Sequence, residues 1–224
     1  KDEYKNSRSS AMMDGFYRYN TLGAGLNYNH TFGSVHDLAV RLFYNHSSET
    51  VPGDNPDYKY QGLAMRAQYG FNKRYYAEVT ASYQGSSNYR SGKRTGFFPA
   101  VGLAWVASDE KWLQSAEAID FLKFRVSYGV NGNDQTGGRR FPYRQEFTSS
   151  GGYAFGNPNG STDGSQEGVL ANPDETWEKS YKFNVGFDLE LWRGLSFTMN
   201  YFNEKRRDVL VDYSNIVPSL IGIG

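Results

Sequence analysis

The chain has 224 residues with 24 basic and 24 acidic side chains, so its formal net charge is zero and it carries no basic stripe suited to nucleic acid. It has no cysteine, which removes disulfides, thiolate metal sites and a cysteine nucleophile from consideration. Mean hydropathy is −0.67 and no apolar run reaches the length of a membrane-spanning helix, but a β-barrel stays open, because its polar lumen and loops hide the signal in any average.

Residues 1–12 are polar, with no charged-then-apolar secretory signal. Residues 217–224 do not read as a closing barrel strand, so the expectation is an internal piece of a longer protein. Eight long strands are predicted between these ends. The first, 17–32, places Leu22, Ala24, Leu26, Tyr28 and Phe32 on one face and Gly23, Gly25, Asn27 and Asn29 on the other. After a turn at 33–37, the second sets Leu38, Val40, Leu42 and Tyr44 against Arg41 and Asn45. A loop dense in turn residues, 49–57, leads to a third strand over 58–71, with Leu63, Met65, Ala67, Tyr69 and Phe71 opposite Arg66 and Gln68.

Asn72-Lys73 reads as a tight turn into a fourth strand, 74–85, with Tyr75, Ala77, Val79, Ala81 and Tyr83 against Glu78, Thr80 and Ser82. The fifth, 96–107, shows Phe97, Val101, Leu103 and Trp105 on the apolar side; Pro99 within it removes a ladder donor and suits an edge or bulge. Residues 108–120 predict a short helical turn capped by Ser108 or Asp109. The sixth strand, 121–133, carries Leu122, Phe124, Val126, Tyr128 and Val130 against Lys123, Arg125 and Ser127. A long segment rich in Gly, Asn and Ser follows, with room for short strands near 140–148.

The clearest alternation comes last. Tyr181, Phe183, Val185, Phe187, Leu189 and Leu191 form one face and Lys182, Asn184, Asp188 and Glu190 the other, before Trp192-Arg193-Gly194 turns the chain into Leu195, Phe197, Met199 and Tyr201. Period two marks a strand with one dry and one wet face. At roughly 3.4 Å per residue and a tilt of roughly 40°, the row spans about 25 Å, the apolar height of an outer-membrane barrel. The apolar rows hold no Lys, Arg, Asp or Glu within that band, which fits lipid contact at Leu63, Met65, Val79, Val101, Leu103, Phe124, Val126, Phe183, Val185, Phe187, Leu189, Phe197 and Met199. The charged rows would face a wet lumen. A soluble sandwich could invert this sidedness; the length of the rows opposes it.

Connections alternate between short (33–37, 72–73, 192–194) and long (50–57, 86–95, 134–176), with 108–120 the exception. Short periplasmic turns and long outer loops are a barrel habit. Phe32, Phe71, Tyr75 and Trp105 would then form one aromatic girdle, and Tyr44, Tyr83, Phe97, Tyr128, Tyr181 and Tyr201 the other.

Several segments resemble the SusC/RagA-like TonB-dependent transporters. Phe98-Pro99-Ala100-Val101 through Trp105 is similar to that family's FPS-V-x-x-x-W strand, and Leu122-Lys123-Phe124-Arg125-Val126-Ser127-Tyr128-Gly129 through Asn133 to its LK-x-R-x-SYG-x-x-GN strand. Asn172-Pro173-Asp174, Trp177-Glu178 and Asn184-x-Gly186-x-Asp188 resemble its NPDL-x-WE…N-x-G-x-D segment, with Glu175 in place of Leu at what reads as a loop edge. Gln84-Gly85-Ser86-Ser87 is similar to its DGSS, and Asp208-x-Leu210 to the end of the next strand.

The resemblance implies an all-β fold: residues 1–224 as part of an antiparallel transmembrane barrel wall in the bacterial outer membrane, with no plug domain in this chain. It implies import of glycan or peptide fragments with a SusD-like surface lipoprotein, energised by the TonB complex through regions outside this chain. It implies no enzyme chemistry and no cofactor. A siderophore receptor, a specific porin and a secreted carbohydrate-binding β-sandwich are the alternatives.

The three histidines, His30, His36 and His46, sit at strand ends too scattered for a metal or catalytic cluster. No Ser/His/Asp set or phosphate loop can be assembled. Residues 54–57 and 157–164 have calcium-like oxygen chemistry without the spacing of a calcium loop, and read as turns. Tyr89, Arg139, Arg140, Tyr143, Tyr153 and Phe155 lie in expected outer loops. They are candidates for stacking on a glycan or peptide, or for meeting the lipoprotein, against a plain packing role.

Overall fold

The computed structural model describes residues 17–51, 56–135, 140–155 and 160–210. Among the described residues ten strands form: β1 (Arg18–Phe32), β2 (His36–Thr50), β3 (Tyr58–Phe71), β4 (Tyr75–Ser86), β5 (Thr95–Val106), β6 (Ile119–Asn133), β7 (Phe147–Phe155), β8 (Gly160–Glu167), β9 (Glu178–Leu191) and β10 (Leu195–Arg207). Eight of them make one antiparallel sheet in the order β1-β2-β3-β4-β5-β6-β9-β10, while β7 and β8 pair only with each other. The eight long strands are those the alternation predicts. The hairpin β7–β8 begins later than expected and extends well beyond 148, because its polar and glycine-rich stretch has no alternating pattern to announce it.

Register keeps each face in line across the sheet. One row of paired residues runs Phe32, His36, Phe71, Tyr75, Trp105, Phe124, Phe187 and Met199. A parallel row runs Leu38, Tyr69, Ala77, Leu103, Val126, Val185 and Tyr201. The side chains of this face are open: Leu103 is 59% and Met199 55% exposed. Phe187 is half-buried because Phe124 and Phe197 flank it, with ring centroids 6.2 and 5.7 Å away. A β-sandwich needs a second sheet against this face, and among the described residues none lies there.

Three hairpin turns close at one end. Gly33 and Ser34, Asn72 and Lys73, and Trp192 and Arg193 are consecutive pairs at positive φ. This left-handed turn matches the right-handed twist of the strands it joins. At the same end, residues 107–109 form a single 3-10 turn. Its N-cap is Val106 with no side-chain cap, so the expected capping by Ser108 or Asp109 is corrected. The turn is held instead by Glu110, which accepts from the Tyr75 hydroxyl and from Trp105 Nε1 at 3.3 Å and pairs with Arg74 at 3.5 Å. The Tyr75 hydrogen bond, with that of Trp105, holds the Glu110 carboxyl below the usual range.

Pro99 falls where the β5–β6 ladder stops: Ala100 pairs with Gly129, and residues 95–99 pair with β4 alone. Its missing N–H therefore costs no ladder bond. The Phe98 ring fills the space that side chains on Gly96 and Gly132 would need.

Candidate functional site

Two regions bring polar chemistry together. The first is the polar face of the sheet. One row across it runs Asn29, Ala39, Gln68, Glu78, Gly102, Ser127 and Asn184, and the next runs Tyr76, Ala104, Arg125, Gly186 and Asn200. Charges on it are largely tied to neighbours on adjacent strands. Arg66 donates to Glu78 at 2.7 Å, and Gln68 adds a bond of 2.8 Å to the same carboxylate. Arg125 reaches Asp188 at 3.1 Å and Asn200 at 3.0 Å, and Thr198 donates to Asp188 at 3.0 Å. Arg41 donates to Asn27 at 2.7 Å. The Lys123 ammonium stands 6.0 Å from the centre of the Tyr76 ring. A hollow of about 420 Å³ lies over β5 between these side chains.

The second region is a cluster at the long-loop end of the sheet. Tyr89, Phe98 and Trp177 form its buried core, with Tyr60 and Val130 packed against it. Trp177 Nε1 donates to the Arg94 carbonyl at 3.0 Å, Arg94 Nε donates to the Tyr89 carbonyl at 3.1 Å, and the Tyr89 hydroxyl donates to the Asn133 carbonyl at 3.3 Å. Asn88 donates to the Asp134 carbonyl at 2.9 Å and accepts from the Phe141 N–H at 2.7 Å. Tyr58 donates to the Asp134 carboxylate. The 86–94 loop is thereby bolted to β6 and to the segment before β9.

These contacts decide where the loop candidates stand. Tyr89 is 1% exposed, so the expectation of a ring open to a ligand is corrected: burial excludes one and raises the phenol's pKa. Arg140 pairs with Glu49 at 2.7 Å and lies over the Tyr58 ring at 5.4 Å, bracing β2 against β3. Glu49 accordingly belongs to β2 rather than to the expected loop. Tyr143 is half-buried, edge-on to Phe141 at 6.3 Å. Tyr153 and Phe155 fall on β7, paired with Thr162 and Gly160. Arg139 lies outside the described residues. Glu175, expected at a loop edge, is 8% exposed, and among the described residues neither carboxylate oxygen has a hydrogen-bond partner.

Sequence reasoning missed the partnership of Tyr60, Tyr89, Phe98 and Trp177; the signal was the glycines Gly96 and Gly132 around Phe98. Among the described residues no three carboxylate or imidazole groups converge on a metal-sized site. His36 shares a 2.7 Å hydrogen bond with the Tyr69 hydroxyl in the aromatic row.

Residues 2–222 match the family described as TonB dependent receptor-like, beta-barrel. The chain belongs to that family. TonB-dependent receptor P39 of Formosa agariphila is 28% identical over 211 residues, which cover 92% of this chain and 19% of that protein. TonB-dependent receptor SusC of Bacteroides thetaiotaomicron is 30% identical over 132 residues, 58% of this chain and 13% of that protein. The solved structure titled "Structure of the RagAB peptide transporter" superposes with a TM-score of 0.75 at 22% identity over 92% of this chain and 26% of that one, a likeness of fold.

The chain thus spans about a fifth of the length of the curated relatives it matches. As a TonB-dependent receptor barrel segment it belongs to an outer-membrane family of receptors and transporters, and its sheet is a wall whose two edges, β1 and β10, do not meet.

Proposed function

We propose that this chain is part of the barrel wall of a TonB-dependent, SusC-like importer of glycan or peptide fragments in the bacterial outer membrane. It works with a SusD-like surface lipoprotein and takes energy from the TonB complex through regions outside this chain. The apolar rows, Leu63, Met65, Val79, Val101, Leu103, Phe124, Val126, Phe183, Val185, Phe187, Leu189, Phe197 and Met199, touch lipid. The opposite face lines a wet lumen.

The observation that carries this reading is the separation of chemistry across one sheet. The row from Leu38 to Tyr201 holds no charge over seven strands, while the adjoining polar row joins Arg125 to Asp188 and Asn200 in bonds of 3.1 and 3.0 Å. A Lys or Arg at the bilayer midplane costs about 2–4 kcal/mol, and a charged pair in a dry interior costs several. Lipid on one side and water on the other remove both penalties. The SusC relative is named a TonB-dependent receptor and the RagAB structures are titled a peptide transporter and a peptide importer, which supports an importer reading.

The test is growth and uptake in a strain lacking the protein, on oligosaccharide or peptide as sole nutrient, with and without TonB. Loss of uptake in both deletions supports the importer. Uptake that survives without TonB indicates a porin, and rescue confined to an iron chelate indicates a siderophore receptor.

A further inference from the structure

We infer that Lys205 and Arg207 on β10, with Lys179 on β9, hold the phosphate of an outer-leaflet glycolipid against the lipid side of the wall. This rests on the reading of the apolar rows as lipid-facing and of the long-loop end as the outer one. Leu195, Phe197, Met199 and Tyr201 alternate along one face of β10, and the same period carries that face on to Asn203, Lys205 and Arg207. In the ladder Tyr201 pairs with Val185, Lys205 with Tyr181 and Arg207 with Lys179, so the cations continue the apolar rows of both strands. Lys205 is ten residues beyond Leu195, which at roughly 3.4 Å per residue and a tilt of roughly 40° lifts it about 25 Å from the 192–194 turn. That is the height of the apolar band, and the cations therefore sit at headgroup level.

Charge is sorted between the two faces at this height. On the lumen side of β9 and β10, Glu204 accepts from Ser180 at 2.7 Å and from Arg206 at 2.8 Å. Arg206 also reaches Glu178 at 3.9 Å, and Lys182 lies opposite Glu204 in the ladder. Those two acids meet two bases. On the lipid side three bases meet one acid: Asp208, just past the strand, pairs with Lys179 at 3.6 Å. Among the described residues Lys205 and Arg207 have no carboxylate in salt-bridge range. Arg207 and Lys179 are moreover direct cross-strand partners, and like charges so placed destabilise a ladder unless an anion joins them. The low dielectric of the adjoining lipid deepens that repulsion.

The geometry favours phosphate on a lipid. The Arg207 guanidinium lies over the Tyr181 ring, 5.3 Å from its centre, which fixes its plane and leaves its N–H edge for an anion. A planar fork of donors beside a lysine ammonium matches the oxygens of a phosphate. Lysine and arginine on the lipid side of a wall extend their charged heads to the interface, where phosphate is the resident anion. Soluble cargo passing through the lumen does not reach this side. The acyl chains of the bound lipid run along the row of Phe183, Val185, Phe197 and Met199 below.

The experiment strips co-purified lipid from the full-length protein in detergent and titrates it with monophosphoryl lipid A and with the same lipid after dephosphorylation. Native mass spectrometry reads the bound lipid. The phosphorylated form is expected to bind about tenfold more tightly. The double variant Lys205→Gln/Arg207→Gln should erase that preference, and Lys205→Arg should keep it. Should the double variant fail to fold, Lys205→Gln alone is expected to lose about threefold of the preference. Equal binding of the two lipids, or a preference that the charge-removing variants keep, overturns the inference. Displacement of the lipid by inorganic phosphate at equal concentration marks a site for a bare anion and also overturns it. A nitroxide at Val185 that oxygen reaches from the bilayer, alongside a negative lipid result, leaves the two-faced wall standing without this site.

Discussion

The indole N–H of Trp177 donates to the carbonyl oxygen of Arg94 at 3.0 Å, joining the strand β9 entry to a loop 83 positions earlier in the chain. Trp177 is 1% exposed, so the bond is shielded from water and closes the packing of Tyr89 and Phe98. Trp177→Ala is expected to cost about 3–5 kcal/mol, the usual loss for a buried aromatic, and to make the 86–94 loop a protease site. Trp177→Phe keeps most of the packing and should lose about 1 kcal/mol for the missing hydrogen bond. Denaturant unfolding and limited proteolysis of both variants check this order.

Gly132 and Gly102 predict opposite responses to one added methyl. The Phe98 ring occupies the place of a Gly132 side chain, so Gly132→Ala must displace a buried aromatic and is expected to cost about 1–3 kcal/mol. Gly102→Ala adds its methyl at ordinary contact distance and should change stability by less than about 1 kcal/mol. Comparable losses in thermal unfolding would refute the placement of the Phe98 ring.

Glu175 offers a stabilising change. Both its oxygens are buried without a partner among the described residues, beside the Tyr89–Trp177 core. An unsatisfied buried polar group costs about 1–3 kcal/mol, and Glu175→Leu should recover a gain of that order, read as a rise in the unfolding midpoint. Glu175→Gln should recover little, because it leaves buried polar atoms in place.

How much of this was legible in the sequence depends on the distance between the residues that cooperate. The long strands could be read because Phe183 to Leu189 and their counterparts each announce a face within a few residues. The hairpin β7–β8 could not, since Phe147-Thr148-Ser149-Ser150-Gly151-Gly152 has no period. The charged rows were visible residue by residue, but the pairing of Arg125 with Asp188 needs the register of β6 on β9. The hollow over β5 was hidden for a different reason: its floor is an absence of side chains at Gly102, which gains meaning only when β4 and β6 stand beside it.

Asp174 gives the loop cluster a pH dependence. Lys93 Nζ donates to its carboxylate at 2.8 Å, and that hydrogen bond holds the Asp174 carboxyl below its ordinary range. A depressed folded value places the contribution in full above the ordinary aspartate value of about 4, and it is lost as pH falls below that through the folded value. Amide exchange across 90–94, taken as the ratio of Asp174→Asn to the parent protein, should exceed one at pH 7 and fall towards one as the pH is lowered below about 4. A ratio of one throughout would show that the pair carries nothing.

The most direct test of the two-faced wall is a cysteine scan along β9, positions 180–190, in the full-length protein in lipid bilayers. Each position carries a nitroxide and is probed with oxygen, which partitions into lipid, and with a water-soluble nickel complex. Oxygen accessibility peaking at Phe183, Val185, Phe187 and Leu189, with the nickel complex reaching Lys182, Asn184 and Asp188, is the predicted result. The reverse pattern, or one in which neither reagent alternates with period two, would contradict it.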